Sequence, residues 1–197
     1  MANKKSIALA AVLTGLFLAT PVLAEEKAAE NSVGTLSKQS AAAIKGFAGE
    51  LKKNLQEAMK SGGPANALNV CKTVAPSIAE THSKSSGLTI KRTALKVRNP
   101  DNAPDDYELK VLEQFVADIA AGKDAKKLKK AEIVETDGGK VFRFTKAIPT
   151  QKMCLRCHGE NVAPELKARI DELYPEDKAT GFKEGDLRGI FSISKKL

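Results

Sequence analysis

The chain has 197 residues, 42% hydrophobic and 28% charged, a balance that excludes both a disordered tail and a membrane-packed bundle. Its formal charge is +8, from 32 Lys and Arg against 24 Asp and Glu, with only 2 His. With 7 Phe, 2 Tyr and no Trp, the interior is poor in aromatics, and a bulky cofactor would help to fill it.

Residues 1–24 have the pattern of a secretory leader. Lys4 and Lys5 form a basic start, Ile7 to Ala19 an apolar run, and Val22-Leu23-Ala24 a small-residue cleavage site. A bilayer span needs about 20 apolar residues. This run stops at Thr20-Pro21, so cleavage after Ala24 is expected rather than anchoring. The remaining 173 residues suit one domain, and losing Lys4 and Lys5 takes the charge from +8 to +6. The product is expected to be exported, periplasmic or otherwise extracytoplasmic, with no membrane span after cleavage. Residues 25–32 read as a flexible lead-in, and 33–197 as the domain.

Val33, Leu36, Ile44, Phe47, Leu51, Leu55 and Met59 recur at helical spacing up to Ser61-Gly62-Gly63, predicting one long amphipathic helix. Gly46 and Gly49 favour packing on its own domain over a coiled-coil seam. Pro64 opens a second helix that carries Cys71 on the face of Ala67 and Leu68, with Pro76 expected to break or restart it near Ala75. Leu88 to Arg98 reads as a strand and 99–104 as a turn. Asp105 and Glu108 resemble a capping box for a helix burying Leu109, Leu112, Phe115, Val116 and Ile119 and ending at Gly122. Lys123 to Lys130 is a lysine-rich face or loop. Ala131–Glu135 and Val141–Ile148 form a hairpin across Asp137-Gly138-Gly139. Pro164–Leu173 is a short helix. A closing strand, Leu187–Ile193, puts Leu187, Gly189, Phe191 and Ile193 on one face. Hairpin pairing without βαβ alternation predicts an α+β fold with an antiparallel sheet.

Cys154-Leu155-Arg156-Cys157-His158 is C-x-x-C-H, the attachment sequence of c-type haem. The spacing has a chemical reason: both thiols must reach the two vinyl groups on one porphyrin edge, while the adjacent His turns a ring nitrogen to the iron. One covalent haem c is expected. The alternatives are a thioredoxin-like pair, a zinc site that recruits Cys71, and a plain disulfide, Cys154 to Cys157. For the other side of the iron the candidates are Cys71, His82, Met59 or a Lys. His82 lies in a polar run that suits a solvated residue, and Met59 lies on an apolar stripe that suits the core. Cys71 reads either as a packed thiol or as the ligand, the second being favoured because it is the cysteine left over in an exported chain. Lys91, Arg92, Lys96 and Arg98 make a basic strand. That strand is either a solvated face or one on which Arg92 or Arg98 turns its guanidinium to the haem propionates.

Several motifs together resemble a family of c-type haem proteins with a PAS-like fold and His/Cys axial ligation. They are Asn69-Val70-Cys71-Lys72 with Ala75-Pro76, the run Lys91 to Asp105, the C-x-x-C-H, and Gly185-Asp186-Leu187-Arg188-Gly189, in that order across about residues 33–193. Tyr107 departs from the Trp that family often carries. The resemblance implies a PAS-like antiparallel sheet with flanking helices, a haem held by Cys154 and Cys157, His158 as proximal ligand and Cys71 as distal ligand. A thiolate would stabilise ferric over ferrous iron, so the implied site has a low potential.

The functional expectation is low-potential electron transfer or haem-based redox or gas sensing, through a separate and acidic redox or signalling partner. A nucleic-acid role is not expected. The alternative is a small haem peroxidase or reductase using a vacated distal position, and after it a structural zinc or disulfide module. The peroxidase lacks a ready distal acid–base residue, because His82 is the one other histidine.

Overall fold

A computed structural model describes residues 31–197; the expected leader, and the lead-in before Asn31, lie outside the described residues. Helix α1, Val33–Asn69, starts where the Ser32 side chain accepts a hydrogen bond from the Thr35 N–H, satisfying one of its unpaired donors. Leu36, Ser40, Ala43, Ile44 and Phe47 form its buried stripe. The helix breaks where expected, at Gly62 and Gly63. Gly63 takes φ 67°, a region that side chains with a Cβ avoid, and Pro64 starts the next turn.

The expected break at Pro76 takes another form. Pro76 has no N–H to offer the Lys72 carbonyl, and the chain widens into a π-helical turn over Val70–Val74 instead of ending. The Ala75 N–H reaches back to the Val70 carbonyl, and helix α2, Ala75–Ser86, continues to a left-handed Gly87. The polar run around His82 is therefore helical.

Four strands follow in the sheet order β1-β4-β3-β2, every neighbouring pair antiparallel: β1 Thr89–Thr93, β2 Lys129–Thr136, β3 Gly139–Pro149 and β4 Leu187–Lys196. The last strand enters between the first and third. On one face Ile90, Phe142, Phe144 and Ile193 pack against Leu36, Ala43, Ile44 and Phe47 of α1 and Ile78 of α2. On the other, Ala147 and Ile190 pack against Val111, Leu112 and Phe115 of helix α3, Asp106–Ala120. The fold is α+β, as expected, with a long N-terminal helix.

Three expectations need correction. The strand predicted over Leu88–Arg98 ends at Thr93, its last partner being Ile190. Beyond that pair β4 runs into a β-bulge: Ile148 pairs with Gly189 but Pro149 pairs with Leu187, which leaves Arg188 as the extra residue. Gly189 meets β1 so closely that a Cβ there would lie 2.4 Å from the Thr93 carbonyl oxygen. Lys96 and Arg98 are consequently off the strand. The bulge also moves Leu187 from the face of Phe191 and Ile193 to the α3 side, where it packs with Ile190. In α3, Leu109 and Val116 are 38% and 44% exposed, since they sit about a quarter turn from the Val111, Leu112 and Phe115 stripe.

The capping box is present. The Glu108 N–H donates to Asp105 at 2.7 Å, and the Asp105 N–H donates to Glu108 at 2.9 Å. Glu108 is buried and pairs with Lys91 at 2.9 Å. Burial opposes ionisation of Asp105, yet the Glu108 N–H and Arg143 hold its carboxyl below the ordinary value. A depressed folded pKa stabilises the protein above the unfolded value of about 3.9, and that contribution is lost as pH falls through the folded value. Asp105→Ala is expected to cost about 1 kcal/mol in urea unfolding at neutral pH. Asp105→Asn, which keeps a capping oxygen, should instead flatten the acid limb of stability.

Candidate functional site

The C-x-x-C-H segment follows β3 at once. A turn of 3-10 helix, Lys152–Cys154, runs into the one-turn helix α4, Leu155–His158, so Cys154 and Cys157, three residues apart, face the same side. All three cysteines are free thiols, and none is in a disulfide. The chain leaves through Gly159, whose N–H closes the turn on Leu155 at 2.9 Å. Any Cβ there would lie 2.5 Å from the Leu155 carbonyl oxygen.

His158 is held on two sides by one segment. Its Nδ1 lies 2.6 Å from the Ala179 carbonyl oxygen. A carbonyl can only accept, so Nδ1 carries the proton and the Nε2 lone pair is left free. Its own carbonyl accepts the Phe182 N–H at 3.0 Å, and the Phe182 ring stands edge-on to the imidazole at 6.4 Å. Burial, then the nearby Arg188 and Arg98, push the imidazole pKa down to about 2, so the ring stays neutral.

Segment 177–182 is fixed in turn by a buried ion pair. Arg98 Nε donates to Asp177 Oδ1 and Nη2 to Oδ2, both at 3.1 Å; Nη2 also reaches the Cys157 carbonyl at 2.7 Å and the Ala179 carbonyl at 3.3 Å. Asp177 Oδ1 accepts the Ala179 N–H at 2.8 Å. Arg98 is thus buried off the sheet, and the carboxylate its fork meets is Asp177.

Cys71 arrives from the π turn. Leu68, one turn before it, forms a cluster with Leu166 and Ile170 of helix α5, Pro164–Leu173, against which Cys157 packs. Burial raises the Cys157 thiol, Arg98 opposes that, and Cys71 and Cys154 add to it, so the three sulfurs share one electrostatic neighbourhood. Arg92 faces the same region. Its guanidinium lies 5.6 Å from the Phe47 ring, and burial lowers its pKa while Cys71 and Tyr174 work in the opposite direction.

Other candidates fall elsewhere. His82 is half-buried rather than fully solvated, and it is not at this site: its ring lies against Gly46, its Nε2 is 2.9 Å from Glu50, and it clasps α2 to α1. Met59 is half-buried along α1. Among the described residues no three His, Cys, Asp or Glu side chains gather closely enough to hold a metal ion, so the zinc reading has no ready-made centre. The residues from Lys123 to Lys130 are largely solvent-facing.

The Tll0287-like family model matches residues 24–195. The chain belongs to the Tll0287-like family. Among solved structures, it is similar to that of the cyanobacterial haem protein Tll0287, at 26% identity and a TM-score of 0.50, over 75% of this chain and 91% of that one. No curated protein matches it.

In this Tll0287-like chain the sequence alone assigns no role to Asp177, Ala179, Phe182 or Arg188. Ala179 contributes only a carbonyl, and no pattern of side chains marks that. Asp177 carries a signal, though a faint one: an acidic residue in the Pro-containing run Tyr174-Pro175-Glu176-Asp177 reads as a turn. Removing its carboxylate strands a buried guanidinium. Asp177→Ala is therefore expected to destabilise the fold by about 3–5 kcal/mol, measured by chemical unfolding.

Proposed function

We propose that the chain is an exported monohaem c-type protein that serves low-potential electron transfer or redox sensing, with His158 and Cys71 as the axial pair. The relationship to the haem protein Tll0287 supports a haem cofactor. The observation that carries the reading is the 2.6 Å contact between His158 Nδ1 and the Ala179 carbonyl, which presents Nε2 as a ligand beside two free thiols. That donor set fits a haem. Each thiol would add its S–H across one vinyl group, forming a thioether with no oxidant. When bound, the iron would supply one-electron chemistry. The residues' part is to hold it, orient the imidazole and choose the sixth ligand.

Cys71 as that ligand accords with its π turn, an irregularity frequent at functional sites, and with its electrostatic coupling to Cys157. The four-stranded antiparallel sheet with flanking helices supports a PAS-like assignment. The basic surface supports an acidic partner in a separate chain. His82, engaged with Glu50 and Gly46, does not supply the acid–base residue of a peroxidase.

Haem staining of a denaturing gel tests attachment, because a thioether-linked haem survives denaturation. In the oxidised protein a low-spin thiolate signal in electron paramagnetic resonance is expected, and it should disappear in Cys71→Ser. A high-spin spectrum, or a low-spin signal unchanged by the substitution, would remove Cys71 from the iron.

A further inference from the structure

Three arginines come to the site's surroundings: Arg98 reaches the Cys157 and Ala179 carbonyls, Arg188 stands on the Phe182 ring that meets His158, and Arg92 stands on the Phe47 ring. Only one has a carboxylate. Arg98 is spent on Asp177 and two carbonyls. Arg92 makes no hydrogen bond or ion pair with the described residues and rests on the Phe47 ring at 5.6 Å. Arg188 has one long contact, Nη1 to the Lys96 carbonyl at 3.5 Å, and lies 5.3 Å from the Phe182 ring, with no carboxylate partner among the described residues. Both are half-buried, and burial and the neighbouring arginines depress Arg188 to about 10. Asp177 offsets part of this for Arg188, but neither guanidinium is paired with a carboxylate among the described residues, and a partly buried charge without a direct partner is costly.

Backbone irregularity is what brings Arg188 there. It is the extra residue of the β4 bulge, between the Pro149–Leu187 and Ile148–Gly189 pairs. Bulges re-aim side chains beside functional sites, and this one takes Arg188 out of the strand's alternation. The Arg188 guanidinium then shares the Phe182 ring with Lys96 Nζ, at 5.4 Å, while the edge of the same ring meets His158.

We infer that Arg188 and Arg92 form a two-armed carboxylate cradle that receives the two haem propionates, while Arg98 is withheld from it by Asp177. The inference rests on the haem reading above. It assigns Arg188 a binding role and moves Arg98 from cofactor contact to positioning of His158 through Ala179. Two guanidinium groups match two carboxylates in charge and in planar fork geometry. No bond is made or broken.

The test uses the full-length, haem-loaded protein, with Arg188→Gln and Arg92→Gln compared with the unaltered chain. Loss of either positive charge beside the haem should favour the ferric state. At a fixed potential the ferric-to-ferrous ratio is expected to rise about tenfold, a shift of about 59 mV downward for one electron. The propionate-bending band in the resonance Raman spectrum should shift in both variants. Arg188→Lys keeps the charge and loses the fork, so it should hold the potential near its original value yet still move the band, and it serves if Arg188→Gln does not fold. An unchanged band in Arg188→Lys or Arg188→Gln, with haem attached, would overturn the assignment. An unaltered chain that carries no haem would overturn the functional reading instead, and the gel stain separates the two failures.

Discussion

The buried pair between Arg98 and Asp177 is the constraint on which the site depends. Their side chains are 8% and 1% exposed, so both charges have lost nearly all their water. Attraction alone seldom offsets that cost; here it is met by two parallel N–H···O bonds from Arg98 to Asp177, by the Ala179 N–H that Asp177 also accepts, and by further acceptors for Arg98 on Cys157 and Ala179. The pair joins the loop after β1, the C-x-x-C-H turn and the segment after α5. The Lys178 N–H adds a bond to the Val97 carbonyl, and the Gly181 N–H one to Gly159. His158 sits at their junction, its imidazole aimed by a main-chain carbonyl that Arg98 also contacts.

Around that junction the regular elements stop being regular. The helix that carries Cys71 widens because Pro76 cannot donate, and the strand that carries Arg188 bulges opposite Pro149. Thr73 supplements the widened turn by donating to the Asn69 carbonyl at 2.7 Å. Away from the site the same elements are orderly, with α1 stacked on Phe142, Phe144 and Ile193 and α3 on Ala147 and Ile190. The well-packed sheet gives these local departures a rigid base, and they place chemistry-bearing side chains where ideal geometry would not.

Charge is distributed with the same division. The lysines of 123–130 face water, where ion pairs contribute little, and some are paired with nearby acids such as Asp118. Arg92, Arg98 and Arg188 lie inward. Arginine suits that place because its delocalised charge is weakly hydrated and its fork meets carbonyls and carboxylates in a plane. Burial first, and then the field of these arginines, keeps the imidazole of His158 neutral, the form in which a ring nitrogen can bind a metal.

Much of this was legible in the sequence because it depends on neighbours along the chain. Hydrophobic periodicity marked α1, α3 and the hairpin; Gly62-Gly63-Pro64 marked the break in α1; Asp105 and Glu108 marked a cap; and C-x-x-C-H marked the candidate site, since its three residues lie within five consecutive positions. The end of β1 at Thr93 was not legible, because a strand lasts only as long as its partner runs straight, and that partner bulges at Arg188. Nor was the inward turn of Arg98, whose acceptors lie 59 to 81 residues away. His82 read as a solvated residue until α2 laid it against Gly46. Local chemistry thus determined which elements form and which pentapeptide is the candidate for cofactor attachment. Only the folded chain decided which arginine meets a carboxylate and which carbonyl aims the histidine, because those pairings depend on side chains that are remote in sequence and come within hydrogen-bond reach only after the sheet closes.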